Sequence, residues 1–176
     1  METVETDIYV YCSDSFLLKK IQRLVFKEEA GELRFSMSQL LPMPSGFNGI
    51  PNYQIYGHHW RKLFWGVTDD NTEIFNVIQD NYFQVSYATL NIPADKWFYS
   101  FYKMAERLHR SCEIYPEPEL VILYANGIFA TKDQDFVHWE PGKEFKSEGI
   151  LSSESKNRLL QFFPQKRINN YGEFWE

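Results

Sequence analysis

The chain has 176 residues, which is long enough for one globular domain with a hydrophobic core. Hydrophobic residues make up 44% and charged residues 24%, and this balance argues against a disordered chain. The net charge of −6 argues against a phosphate-binding groove over much of the surface, because contacts with a nucleic-acid backbone need Lys and Arg.

The N-terminal part of the chain predicts a strand, a helix and a second strand. Residues 7–12 (DIYVYC) are β-branched or aromatic, which is typical of a strand, and residues 13–15 offer helix caps. An apolar stripe over residues 16–25 predicts an amphipathic helix, with Gly31 as its end. Residues 33–41 (LRFSMSQLL) alternate as a strand does.

The middle of the chain predicts a strand between helical segments. Residues 58–66 (HHWRKLFWG) indicate a short helix or turn, and residues 68–81 are ambiguous, with a short helix as one interpretation. Residues 82–90 predict a clear strand. The strongest helix begins at Pro93, since large apolar residues follow it at helical spacing.

The C-terminal part predicts a hairpin and a weaker helix. Residues 120–124 and 128–131 favour strands, and Asn126–Gly127 between them is typical of a tight hairpin turn. Residues 135–139 suggest a further edge strand. Residues 152–163 predict the helix, and an aromatic tail follows it.

Without the short connecting helix, the predicted order begins βαββαβ. This order indicates an α+β, ferredoxin-like split βαβ fold, in which helices back one face of an antiparallel sheet. Residues 1–140 would form this domain, and residues 141–176 a C-terminal extension packed on it, so that the fold gains an extra C-terminal hairpin and helix. The residues assigned to the core by periodicity are Phe83, Tyr87, Trp97, Phe98 and Phe101.

Cysteine usage and the N-terminus predict a cytoplasmic protein. Cys12 and Cys112 have no partner motif and are interpreted as free thiols of a reducing compartment. The first twelve residues lack a basic region and a long apolar run, so no secretion signal is expected. No window approaches 18 apolar residues, so no membrane span is expected either.

Four segments together resemble the YubB-like family, a ferredoxin-like domain of plasmid, phage and other mobile-element proteins. The segments are FSMSQLLPMP (35–44), HHWRKLFWGVTDD (58–70), FQVSYATLNIPADKW (83–97) and PELVILYANGIFA (118–130). The resemblance extends over roughly residues 7–140 and rests on structural motifs, such as the Trp-Gly step. It implies a ferredoxin-like core and an origin on a mobile element, without implying a biochemical activity.

Candidate catalytic or metal-binding groups are few. His58 and His59 lie near Asp69 and Asp70 in the sequence, but adjacent side chains diverge, so solvated or partly packed histidines are the favoured interpretation. Sequences that cradle nucleotides are absent, so no cofactor is expected.

Cys12 has His109 or His138 as a possible base, yet its place at the end of an apolar strand favours an inert thiol. Glu113, Glu117 and Glu119 are interpreted as a solvated loop rather than an acid–base pair.

Two regions, together with the tail, are candidates for binding a protein partner. The run from His58 to Asp70 holds hot-spot residue types, and the stretch from Leu63 to Asp95 holds five acidic residues and no Lys or Arg. The structural alternatives are that Leu63, Phe64 and Trp65 plug the sheet and that the acidic residues form a solvated face. The partner-binding candidates are Trp60, Arg61, Trp65, Asp69, Asp70, Glu73, Asp80, Tyr171 and Trp175.

Three hypotheses about function follow. The first is a non-enzymatic protein-interaction module, by which a mobile element modulates a host nucleic-acid-targeting system, with a basic surface on the partner. The second is a single-stranded nucleic-acid binder that uses sheet aromatics. The third is an enzyme of unknown class, which requires a pocket where acidic, His or Cys side chains converge.

Overall fold

The computed structural model describes residues 3–47, 53–67, 72–128 and 133–148, and beyond them residues 153, 154, 157 and 161. Its strands are β1 (Thr3–Cys12), β2 (Phe26–Glu29), β3 (Glu32–Phe35), β4 (Thr72–Ile78), β5 (Tyr82–Leu90), β6 (Leu120–Ile128), β7 (Asp133–Glu140) and β8 (Lys143–Glu148). Its helices are α1 (Ser15–Gln22), α2 (Met37–Leu40), α3 (Tyr53–Phe64) and α4 (Asp95–Arg110). No helix among the described residues is long and apolar enough to cross a membrane.

The main sheet is antiparallel and has six strands in the order β4-β5-β1-β6-β7-β8. β1 lies at its centre, where Ile8 is opposite Val85 of β5 and Tyr124 of β6. The strands β2 and β3 form a separate hairpin. The predicted α+β class is therefore confirmed.

The core lies between one face of the sheet and the helices α1 and α4. On β1, Ile8 and Val10 are two residues apart and both face the helices; they are 1% and 0% exposed. In α1, Leu17, Leu18 and Ile21 are buried, whereas Phe16, where the predicted apolar stripe begins, is 64% exposed. The Asp14 carboxylate caps the helix by accepting a hydrogen bond from the Leu17 backbone amide at 2.7 Å. The five predicted core residues are all buried: Phe83, Tyr87, Trp97, Phe98 and Phe101.

The predicted hairpin turn at Asn126–Gly127 is wrong, because β6 continues through both residues. The strand continues through these residues because of a tertiary contact, which local turn chemistry does not reveal. The Thr6 hydroxyl of the neighbouring strand donates a hydrogen bond to Asn126 Oδ1 at 2.8 Å, and Asn126 is buried. Residues 129–131, which complete the predicted second arm, lie outside the described residues.

The predicted edge strand at 135–139 is present as β7, but it is not an edge, because β8 pairs with it on the other side. β8 was not predicted. Of the predicted helix at 152–163, residues 153, 154 and 157 are described and are helical. Its other residues, except residue 161, lie outside the described ones.

Two more segments differ from their predictions. The ambiguous stretch at 68–81 contains a strand, Thr72–Ile78, which pairs with β5 along the sheet edge. The strand predicted at 33–41 ends at Phe35 and is followed by α2; its partner is β2 rather than the main sheet. The predicted end of the first helix at Gly31 also differs, because α1 ends at Gln22. Gly31, with a φ of 83°, lies in the turn between β2 and β3.

Candidate partner-binding surface

Three connections meet at one end of the main sheet. The Cys12 backbone amide donates to the Asn81 carbonyl at 2.9 Å, which joins the end of β1 to the β4–β5 turn. The Ser13 amide donates to the Glu119 carbonyl at 3.0 Å, and the Glu119 amide donates to Ser13 Oγ at 2.8 Å. These bonds join the start of α1 to the connector between α4 and β6.

This end of the sheet carries several acidic side chains and an exposed tyrosine. Tyr115, in the connector, is 96% exposed. Except for the half-buried Asp14, the acidic residues are exposed. We call the following set the acidic end: Asp14, Asp80, Glu113, Tyr115, Glu117 and Glu119.

The connector is fastened to α4 through a buried histidine. His109 is 2% exposed, and its Nε2 lies 2.7 Å from the Pro118 carbonyl oxygen. A carbonyl can only accept a hydrogen bond, so Nε2 carries the proton. His109 Nδ1 lies 3.6 Å from Glu117 Oε1. The acidic end is therefore presented on an anchored segment.

The charge of Glu119, in the acidic end, acts on the neighbouring phenol of Tyr11. Burial, followed by the charge of Glu119, raises the pKa of Tyr11, on the adjoining β1.

Of the predicted partner-binding residues, Asp80 belongs to the acidic end, whereas Trp60 and Arg61 lie on α3. α3 contacts the other end of α4, since Lys96 Nζ donates to the Leu63 carbonyl at 3.4 Å. The 16 residues of α4 span about 24 Å. Asp80 is thus separated from Trp60 and Arg61 by about the length of that helix.

Trp65 faces the interior. Its side chain is 3% exposed, and Nε1 donates to the Leu41 carbonyl at 3.1 Å, so a partner cannot reach its ring in this conformation. The interpretation that residues 63–65 plug the fold holds for Trp65, but Leu63 and Phe64 are 63% and 44% exposed. Trp60 and Arg61 are half-buried.

The predicted acidic segment does not form one surface. Glu73 lies opposite Tyr87 at the start of β4, whereas Asp80 follows the end of that strand. Asp69, Asp70, Tyr171 and Trp175 lie outside the described residues, as does the side chain of Glu73.

The sequence interpretation of the Pro-Glu connector as a solvated loop does not single it out as a partner-binding candidate. The sequence feature that could have indicated a binding segment is a tyrosine among alternating Glu and Pro, at residues 113–119. The contacts that bring Asp80 to this connector are non-local, and no sequence pattern announces them.

The chemistry considered for Cys12 has no support in the geometry. Cys12 is 0% exposed, and burial raises the pKa of its thiol to about 11, so the thiol is protonated at neutral pH. His138 is also buried, with Nε2 3.2 Å from Glu140. His58 and His59 are exposed on α3, and the described part of the chain holds no cluster of metal-ligating side chains.

The sheet face turned away from the helices carries tyrosines of β1 and β5. Tyr9, Gln84 and Leu123 share this face by strand alternation and are 2%, 0% and 0% exposed. Tyr11 and Tyr82 lie opposite each other on the same face and are half-buried. A base cannot stack on the Tyr9 ring in this conformation, which disfavours nucleic-acid binding at the middle of this face.

Comparisons with known proteins were made at the level of families, single proteins and structures. A scan against family models, a search of curated proteins and a search of solved structures each found no match. The acidic end is accordingly interpreted from its own chemistry.

Proposed function

We propose that the chain is a non-enzymatic protein-interaction domain and that its acidic end binds a basic protein surface. The observation that carries the proposal is the exposed Tyr115 ring on an anchored connector that also carries the exposed Glu113, Glu117 and Glu119. Tyrosine is enriched at the energetic centres of interfaces. Carboxylates on the same segment steer a basic partner toward the site and set its orientation.

The partner surface that fits best is one built to hold nucleic acid. Such surfaces concentrate Lys and Arg to contact phosphates, and the carboxylates of the acidic end offer a comparable array of negative charge. The resemblance to the YubB-like family adds a setting to the proposal. In that setting, a mobile element uses the domain to modulate a host system that targets nucleic acids.

The proposed core is ferredoxin-like. Supporting this, the strands β1, β4, β5 and β6 alternate with α1 and α4 along the chain as βαββαβ, once the β2–β3 hairpin and the segments up to α3 are set aside. Their neighbours in the sheet are antiparallel, in the order β6-β1-β5-β4. β7 and β8 extend this core at the β6 edge.

A charge-reversal variant tests the proposal. In affinity capture from an extract of the cells from which the sequence comes, the wild-type domain should recover a basic protein, identified by mass spectrometry. The triple variant Asp80→Lys, Glu113→Lys, Glu117→Lys should recover about tenfold less of it, because the attraction to Lys and Arg becomes repulsion. Raising the salt concentration should weaken capture by the wild-type domain.

The matched control changes the net charge by the same amount on other exposed positions: Glu28→Lys, Glu32→Lys and Glu154→Lys. This control should capture the partner as the wild-type domain does. Equal losses in both variants would show a net-charge effect without a site. Full capture by the acidic-end variant would refute the proposal, provided that circular dichroism shows an unchanged fold.

A further inference from the structure

The outer face of α4 carries a line of four cations. Lys96, Lys103, Arg107 and Arg110 are all exposed, at spacings of seven, four and three residues. At 100° per residue these spacings place the four side chains within about 60° of one another around the helix axis. They form one stripe about 21 Å long, at 1.5 Å per residue.

α1 adds a second, shorter stripe. Lys19, Lys20 and Arg23 are exposed and share the outer side of α1 with Phe16, while Leu17 and Leu18 face the core. α1 packs against α4 in the same helix layer. We call the following set the basic helix face: Phe16, Lys19, Lys20, Arg23, Lys96, Tyr99, Lys103, Arg107 and Arg110.

Few negative charges oppose these seven cations within the two helices. α1 contains no acidic residue, and α4 contains Asp95 and Glu106. The Asp95 carboxylate accepts a hydrogen bond from the Tyr124 hydroxyl at 2.8 Å, and Glu106 pairs with Arg110 at 2.7 Å. The helix face is therefore positive on a chain whose net charge is −6.

Two exposed aromatic rings are interleaved with the cations. Phe16 is 64% exposed and Tyr99 is 46% exposed. Lys20 Nζ lies 4.7 Å from the Phe16 ring centre, and Lys103 Nζ lies 4.8 Å from that of Tyr99. Each ring thus lies under a lysine ammonium group that can neutralise a phosphate.

We propose that the basic helix face binds single-stranded nucleic acid, with phosphates along the cation stripes and bases against Phe16 and Tyr99. Cations that follow a backbone, combined with aromatic rings for base stacking, are the elements of single-strand recognition. An acidic protein surface would also use the cations, and the competition by polyglutamate described below distinguishes it from a single strand. This inference concerns a surface other than the acidic end and goes beyond the proposed function.

Fluorescence anisotropy with a labelled 20-nucleotide oligothymidylate tests this inference. We expect a Kd in the micromolar range at 50 mM salt, weakening about 50-fold by 200 mM salt if four phosphates are contacted. The variant Lys103→Glu, Arg107→Glu should bind at least about tenfold more weakly. Tyr99→Ala should lose about fivefold or more, because a stacked base is lost.

The matched control is Lys143→Glu, Lys146→Glu on β8, which makes the same change of net charge at two exposed positions. It should bind the oligonucleotide like the wild-type chain. Absence of binding at 50 mM salt, or equal weakening in both charge variants, overturns the inference. So does equally effective competition by a 20-residue polyglutamate or by a duplex, since either would show a site for negative charge alone. The acidic-end triple variant keeps this face intact, so the two proposals fail independently.

Discussion

Replacing Trp97 by alanine is expected to lower the free energy of unfolding by about 3–5 kcal/mol. Trp97 is 0% exposed, and its ring centre lies 5.3 Å from that of Phe35 and 6.0 Å from that of Phe101. Its Nε1 donates to the Met37 carbonyl at 2.9 Å. The substitution would therefore leave a cavity between α4 and the β3–α2 segment and a buried carbonyl without its donor.

Urea denaturation followed by circular dichroism measures this loss. Trp97→Phe keeps an aromatic ring but removes the donor, so a smaller loss of about 1–2 kcal/mol is expected. Tyr99→Ala, at an exposed position of the same helix, should cost less than about 1 kcal/mol. A loss below about 1 kcal/mol for Trp97→Ala would contradict the packing of α4 described above.

The second large effect is alkaline unfolding. Burial is the main cause that raises the pKa of Tyr87 and of Tyr124 above the ordinary value of 10, and it raises that of Cys12 to about 11. The folded chain keeps these protons while the unfolded chain releases them. The contribution of these groups to the free energy of unfolding is thus fully present below about pH 9 and is lost as the pH rises further. The two tyrosines alone would cost about 3 kcal/mol by pH 11, at about 1.4 kcal/mol per pH unit each.

Thermal denaturation between pH 8 and pH 11 measures this effect. We expect the midpoint to fall steeply above pH 9. Tyr124→Phe should flatten the fall, although it costs stability at pH 7 because the hydrogen bond to Asp95 is lost. A midpoint that stays constant up to pH 11 would contradict the burial of these groups.

Periodicity predicted the parts of the fold that depend on local pattern. Trp97, Phe98 and Phe101 fall at helical spacing, and their burial follows from that spacing alone. Asn126–Gly127 failed as a turn because Asn126 is used in a hydrogen bond with Thr6, 120 residues away. A prediction made from the residues of the turn alone does not include a hydrogen-bond partner at such a distance in the chain.

The same limit applies to the surfaces. Asp80 was selected from the sequence, but the glutamates that accompany it come from a connector far along the chain. Trp65 has a residue type common in interfaces, yet its indole is hydrogen-bonded inside the fold. The net charge of −6 is an average that conceals a positive helix layer beside an acidic end. Segregation of charge on a surface depends on which helix faces point outward, and this is evident only once the core is known.

Site-specific photo-crosslinking tests the central claim most directly. The photoreactive residue p-benzoylphenylalanine replaces Tyr115 in the acidic end or, as a control, Leu33, which is 41% exposed on β3. Irradiation in an extract of the cells from which the sequence comes should link position 115, and not position 33, to a basic protein with an isoelectric point above about 9. Adducts at position 33 without adducts at position 115, or adducts only with acidic proteins, would contradict binding through the acidic end.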